Sequence, residues 1–374
     1  MPNRIAQAMS LPTLTLIAAP YGLGPASKAI ALAHAAKGKF RCSFIGSLTA
    51  CSIAKLTNLF EHVDQIDYSS QFGSAHSSCQ TASHTVFINT TRFISNRAKL
   101  PGKLYMVDTL AWMRTSPPNG AHHLEKYYVQ TYISNQLASS IVSLGSTHEV
   151  EPIIVDPTLD APLPRTDLLA PHILVQVGGM GSPAAMQGSG NLYIKFLIAN
   201  LNNLEGNVTL VLPPNLHQDF PSEGKVQIAC ATPLTIGSLI RQSDLVLTTS
   251  GIEFMYECAA RRTPMVFLPP FNATQEQQLS HLARHTPSAV LFSFHVGILA
   301  HKFEDLDRRT QSIQTAGQHG AWQRQLRSIF STLGPLGDQE LRDVTQLIQS
   351  DQDPLFAKYS FRGAQAIVNG IYNG

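Results

Sequence analysis

Charge is scarce in this chain. Of 374 residues only 14% are Asp, Glu, Lys or Arg, and the formal balance is +2. No run of Lys or Arg stands out, so nucleic acid is not expected as a partner, because such binding needs a basic patch to displace counterions. Cysteine is also sparse. Cys42, Cys51, Cys79, Cys230 and Cys258 are scattered and odd in number, with no Cys-x-x-Cys pair. That pattern suggests neither a disulfide framework nor a zinc site, and a cytoplasmic location fits it best. Long apolar runs are missing too, and none reaches the ~20 residues that cross a bilayer. Leu11 to Pro20 has the look of a signal-peptide core but lacks a strong charged flank and runs into Tyr-Gly-Leu-Gly. It reads as a buried first strand.

What is present is core. Hydrophobic residues make up 44%, and a chain of this length is expected to form two domains. Strand and helix signals alternate, which predicts α/β architecture with two Rossmann-like parallel-sheet domains facing a cleft. Strands are expected at Leu14 to Ala19, Phe40 to Ile45, Thr85 to Ile88, Leu104 to Val107 and Val150 to Val155. A helix is expected from Ser27 to Lys37, ended by Gly38. Residues 1–156 form the expected first domain. The proline-rich stretch 157–171 reads as a stiff linker. Residues 172–350 form the second domain, with strands at His172 to Val177, Val208 to Leu212, Val226 to Ala229 and Met265 to Leu268. A last strand signal lies at Ala289 to Phe292. Residues 351–374 read as a C-terminal helix. Its amphipathic part, Pro354 to Tyr372, carries no mark of its partner, and packing back on the first domain is one option.

The polar residues of the second half cluster at strand ends and helix starts, where α/β sheets bind ligands. Gly178-Gly179-Met180-Gly181-Ser182 follows a strand and can bring backbone N–H groups close to a diphosphate. Thr248, Thr249, Ser250 and Gly251 form a turn into a helix bearing Glu253 and Glu257 on one face. Glu257 stands among Ile252, Phe254, Met255, Cys258 and Ala259, where a carboxylate can take both hydroxyls of a ribose; a solvated helix charge is the plain alternative. Asn272 precedes the glutamine-rich stretch with Gln275, Gln277 and Gln278, suited to sugar hydroxyls or to simple helix-surface polarity. In the first half, Gly22-Leu-Gly24 offers a turn at a strand end but lacks the third glycine of a dinucleotide fingerprint. Asp108 ends a strand, placed either for general-base work or to cap a helix from Leu110 onward. His122 and His123 lie in a Pro/Gly loop. His281 and His285 lack a third ligand, and no metal site is expected.

The second half resembles the nucleotide-sugar-binding domain of GT-B glycosyltransferases. Among these it is most similar to the UDP-N-acetylglucosamine-dependent transferase of peptidoglycan synthesis, together with the broader UDP-glycosyltransferases. Gly178 to Ser182 matches the family's first glycine loop, Ser250-Gly251 its helix-start turn, and Glu257 the acid that holds the ribose. Arg262-Thr-Pro-Met-Val-Phe-Leu-Pro-Pro matches the next strand, with Arg262 where glycine is usual. Gln277-Gln278 matches the paired glutamines at the donor sugar. The match covers about Leu174 to Leu282. The resemblance implies a metal-independent enzyme, needing no cofactor, that moves a sugar from a nucleotide-diphosphate sugar, most typically a UDP-sugar, to a small-molecule or lipid acceptor. The transferred unit would be a hexosyl or N-acetylhexosaminyl group. The family's turn histidine is absent from Tyr21-Gly-Leu-Gly-Pro-Ala-Ser27, so Asp108, His122 or His123 would have to serve as base. A nucleotide-sugar hydrolase or epimerase on the same fold is the second reading, and a non-catalytic nucleotide-sugar-binding protein the third. Peripheral membrane contact and a monomer or homodimer are both compatible with the sequence.

Overall fold

Short runs rich in β-branched and aromatic residues become parallel strands wherever a helix can cover them. The computed structural model describes residues 11–20, 23–66, 81–91, 94, 100–133, 137–160, 170–178, 189–222, 224–270, 272–285, 326–327, 329–331 and 333–374. Seven strands form the first sheet: β1 (Thr13–Ala18), β2 (Arg41–Gly46), β3 (His62–Gln65), β4 (His84–Ile88), β5 (Lys103–Asp108), β6 (Lys126–Gln130) and β7 (Thr147–Val150). Their order is β3-β2-β1-β4-β5-β6-β7, and every pairing is parallel. Helices α1 (Gly24–Ala35), α2 (Leu48–Lys55) and α3 (Ser139–Val142) belong with them. Leu14, Leu16, Ile17 and Ala18 of β1 are all buried, as a parallel sheet covered on both faces requires. The alanine-rich face of α1 (Ala26, Ala29, Ala33) is buried too, and its small side chains let helix and sheet approach closely.

The second sheet has five parallel strands: β8 (His172–Gln176), β9 (Asn207–Val211), β10 (Val226–Ala229), β11 (Leu245–Thr248) and β12 (Met265–Phe267), ordered β10-β9-β8-β11-β12. Its helices are α4 (Ser189–Leu201), α5 (Pro214–His217), α6 (Ile236–Gln242), α7 (Ile252–Ala260), α8 (Ala273–Leu282) and α9 (Asp338–Phe356), and the chain closes with α10 (Gly363–Tyr372). Strand β12 is an edge, and α9 satisfies it: the Gln352 amide accepts from Met265 N at 3.1 Å and donates to Met265 O at 2.8 Å. One unit comprises 1–156 with 360–374, the other 157–359. The α/β class with two parallel sheets is therefore the fold of this chain.

Two readings of the sequence are corrected. The run Val150 to Val155 is not one strand: β7 ends at Val150, because Pro152 has no N–H for a ladder. Ile153 N instead bonds the Gln130 side chain at 3.0 Å. The stretch Pro354 to Tyr372 is not one helix. Pro354 lies near the end of α9, and α10 starts only after Phe361 takes a left-handed φ of 59°. The strand expected at Ala289 to Phe292 lies outside the described residues.

Candidate functional site

In the second sheet the connection reverses direction between β8 and β11. Ligands of open α/β sheets bind outside the carboxyl ends of the strands at such a switch point. Two chain segments leave the sheet there: Val177-Gly178 after β8, and Thr249-Ser250-Gly251 after β11. They are laced together. Gly178 N donates to Thr249 Oγ1 at 2.8 Å. Gln275, in the first turn of α8, donates its Nε2 to Gly178 O at 3.0 Å and to Thr249 Oγ1 at 3.1 Å. Ser250 Oγ donates to Gln275 O at 2.6 Å. A Cβ on Gly178 would come within 3.2 Å of Thr249 Oγ1 and 3.3 Å of Gln275 Nε2, so glycine suits the packing. Thr248, Thr249 and Ser250 are all buried. Gly251 is half-buried and opens α7, whose amino end carries the positive pole of the helix dipole.

Asn272 caps α8: its Oδ1 accepts from Gln275 N at 3.0 Å. Gln277 is half-buried and Gln278 buried. Tyr193 of α4, fully buried, donates its hydroxyl to Pro269 O at 3.0 Å and so pins the segment that carries β12 toward α8.

Glu257 is buried, and its charge is matched. Arg261 Nη1 donates to Glu257 Oε2 at 2.6 Å and to Glu257 O at 3.0 Å. The same guanidinium holds Asp160 with both arms, Nε to Oδ2 at 2.6 Å and Nη2 to Oδ1 at 2.8 Å. Arg241 adds a bond from Nη2 to Asp160 Oδ2 at 3.1 Å. Two cations thus balance two anions. Burial pulls the Arg261 guanidinium down, but Asp160 and Glu257 outweigh it and hold the group above its ordinary value. Burial pushes the neighbouring Cys258 thiol far up, which leaves it an inert core residue.

In the first sheet the switch point lies between β1 and β4. Gly24 opens α1 beside it, and among the described residues nothing lies within 4 Å of where a Cβ would sit. Asn89, after β4, exchanges bonds with Thr109 at 2.8 Å each way. Asp108 ends β5 at this carboxyl edge but is fully buried. Its Oδ1 accepts from Leu110 N at 2.9 Å, and its Oδ2 accepts from Tyr127 OH at 2.7 Å and from Arg114 Nε. Burial, and then Asp108, push the Tyr127 hydroxyl far up, so it stays a donor. His122 and His123 are exposed on a 3₁₀ turn with ring centroids 3.9 Å apart. Two residues later Glu125 N bonds Leu104 O, near the start of β5, so the pair lies by the amino edge of the sheet.

The structure thus brings together Thr249, Ser250, Gly251 and Asn272, and joins Glu257 to a charge cluster instead. Gly22, Gly179, Met180, Gly181 and Ser182 lie outside the described residues. Sequence reasoning missed the clamp by Gln275, although Asn272-x-x-Gln275 has the spacing of a helix capping box. It also missed Arg261 and Asp160, whose pairing across 101 positions leaves no local signal. Among the described residues no group of three or more His, Cys, Asp or Glu could hold a metal ion. Among the same residues no helix is long and apolar enough to cross a membrane.

No family model matches the chain, and no curated protein matches it in sequence. Solved structures do match in shape. The spinosyn rhamnosyltransferase SpnG complexed with thymidine diphosphate is similar with a TM-score of 0.55 at 13% identity, covering 96% of this chain and 99% of that one. MurG of Acinetobacter baumannii is similar with a TM-score of 0.50 at 14% identity, covering 97% of this chain and 100% of that one. The chain has the fold of the GT-B glycosyltransferases.

Proposed function

We propose that this chain, folded as a GT-B glycosyltransferase, transfers a sugar from a nucleoside-diphosphate sugar to an acceptor without a bound metal. The observation that carries the reading is the grouping at the switch point of the second sheet. Gly178, the 249–251 turn and the amino end of α7 converge there, with Glu257 further along the same helix. In this reading backbone N–H groups of the glycine loop (179–182) and of Gly251, aided by the α7 dipole, receive the diphosphate. They stabilise the leaving group as the sugar carbon becomes cation-like, which is the work a metal would otherwise do. Glu257 accepts from the ribose hydroxyls, since a carboxylate has about four lone-pair sites and can serve several donors at once. Gln277 and Gln278 serve the sugar, with Asn272 shaping their helix.

The acceptor belongs to the first unit, at the carboxyl edge beside Gly24. The reading gives Asp108 the task of holding the 109–114 loop, because its oxygens already serve Leu110, Tyr127 and Arg114. It leaves His122 and His123 out of proton transfer, because they sit by the amino edge.

The test is a thermal-shift and calorimetric panel of nucleoside diphosphates and their sugars on the intact protein. A ligand that binds only the folded state raises its melting temperature. UDP or thymidine diphosphate is expected to do so, and Glu257→Gln is expected to weaken the ribonucleotide about tenfold. Transfer is then assayed with a UDP-sugar and an acceptor panel. Fast release of UDP without an acceptor would move the assignment to hydrolysis, and binding of no nucleotide would end it.

A further inference from the structure

We infer that Arg261 and Asp160 are positioning residues for the nucleotide ribose, acting through Glu257. The inference rests on the proposed donor site. Its observations are the guanidinium shared by two buried carboxylates and the space made for it. The side chains of Arg261, Asp160 and Glu257 are 0%, 4% and 3% exposed. Arg261 meets Asp160 in a two-armed fork and Glu257 through its remaining nitrogen, at 2.6–2.8 Å. A fork of that kind fixes direction as well as distance, which an ammonium does not. The site is also kept clear. A Cβ on Gly237 would lie 2.2 Å from Arg261 Nη2 and 2.3 Å from Asp160 Oδ1, so a larger residue there would displace the pair.

Structural need alone gives a weak account of this cluster, since a buried ion pair seldom stabilises more than apolar residues of the same volume would. What it does secure is orientation. Arg261 caps the end of α7, four residues after Glu257, and bonds both its carbonyl and its carboxylate. Glu257 Oε2 is thereby held in place by the guanidinium. Asp160 sits just after the short 3₁₀ turn Pro157–Leu159, at the start of the second unit. Arg241 ties that turn down through Pro157 O at 2.8 Å and Asp160 Oδ2 at 3.1 Å. The ordering of Glu257 thus depends on a segment far from it in sequence.

The experiment compares UDP with 2′,3′-dideoxyuridine diphosphate, which keeps the base and diphosphate and lacks both hydroxyls. Affinities are measured by calorimetry for the wild type, Glu257→Gln, Arg261→Met and Asp160→Asn. The wild type is expected to prefer UDP, and Glu257→Gln to erase that preference. Arg261→Met should weaken UDP about tenfold and leave the dideoxy compound unchanged, as expected for loss of a charge-assisted bond to one ligand group. Asp160→Asn, nearly isosteric and leaving the Arg261–Glu257 pair in place, should move the ratio the same way by less. It also covers the case in which Arg261→Met does not fold. Equal loss for both nucleotides, or no loss in either variant, overturns the inference while leaving the donor site standing. A wild type that binds neither nucleotide overturns the donor site, and the inference falls with it.

Discussion

A single amide, Gln275, joins three segments at the carboxyl edge of the second sheet. It is 4% exposed, and its Nε2 serves both Gly178 O and Thr249 Oγ1. Truncation removes both bonds, together worth about 1–3 kcal/mol, although Thr249 Oγ1 keeps the Gly178 N–H. Gln275→Ala should therefore lower the melting temperature of the 157–359 unit, and Gln275→Glu, which keeps the shape and loses the donor, should do the same. A melting curve unchanged in both would sink the clamp. Arg262 offers the opposite case. It holds a left-handed φ of 55° and an exposed pair with Asp353. Exposed pairs contribute little, whereas glycine adopts that backbone freely. Arg262→Gly should raise the melting temperature, and Asp353→Ala alone should hardly move it. The resemblance marked position 262, where glycine is usual, but not the backbone reason. The sequence flagged Glu257 by the apolar helix around it but not Arg261, because a pairing with Asp160 exists only once β8 and the strands beyond it have brought the two segments together.

At the scale of elements, α10 is fastened by its entrance. Glu151, just past β7, accepts from Ser360 N at 3.1 Å, from Arg362 N at 3.4 Å and from the Ser360 hydroxyl. Burial alone would raise the Glu151 carboxyl, but these bonds win and hold it below its ordinary value. A group whose folded value is depressed adds stability above its unfolded value and loses it as pH falls through the folded one. The attachment of α10 should thus be intact near neutrality and weaken as pH drops below the ordinary carboxylate range. Glu151→Gln should flatten that acid dependence of the melting temperature; an unchanged acid limb would count against the contact. Gly363 adds a steric condition, since a Cβ there would stand 2.0 Å from Glu151 O. Central strands were legible because buried parallel strands are continuous apolar runs. Strand β3, His-Val-Asp-Gln with both ends exposed, has no such run and is fixed by pairing with β2 and by the bond from Cys51 Sγ of α2 to Asp64 O at 3.3 Å. The strand misread at Val150 to Val155 shows the converse: Ile153, Ile154 and Val155 are buried without a ladder.

For the whole molecule, the chain crosses from the first unit to the second at 156–157 and returns at 359–360. Amphipathicity foretold that the last segment would bury one face but not which neighbour would cover it. The neighbour is α1, with β7 beside it. Ile367, Val368 and Ile371 are each no more than 1% exposed, and Tyr372 meets Phe40 edge-on at 5.5 Å. Three such aliphatic side chains contribute about 4.5–9 kcal/mol, which is comparable to the whole stability of a domain, about 5–15 kcal/mol. The helix they cover is also the one that Gly24 opens at the carboxyl edge of the first sheet. Removing residues 360–374 should therefore unfold or severely weaken the first unit and leave the second with a transition of its own. Calorimetric melting combined with limited proteolysis reads this directly: fragments within 157–359 should survive while those from 11–156 are lost. Nucleoside-diphosphate binding should persist in the truncated chain and transfer should vanish, because the proposed donor and acceptor sites are assigned to different units. Loss of both together, or a single melting transition at the original temperature, would show that the two units do not hold their stability separately.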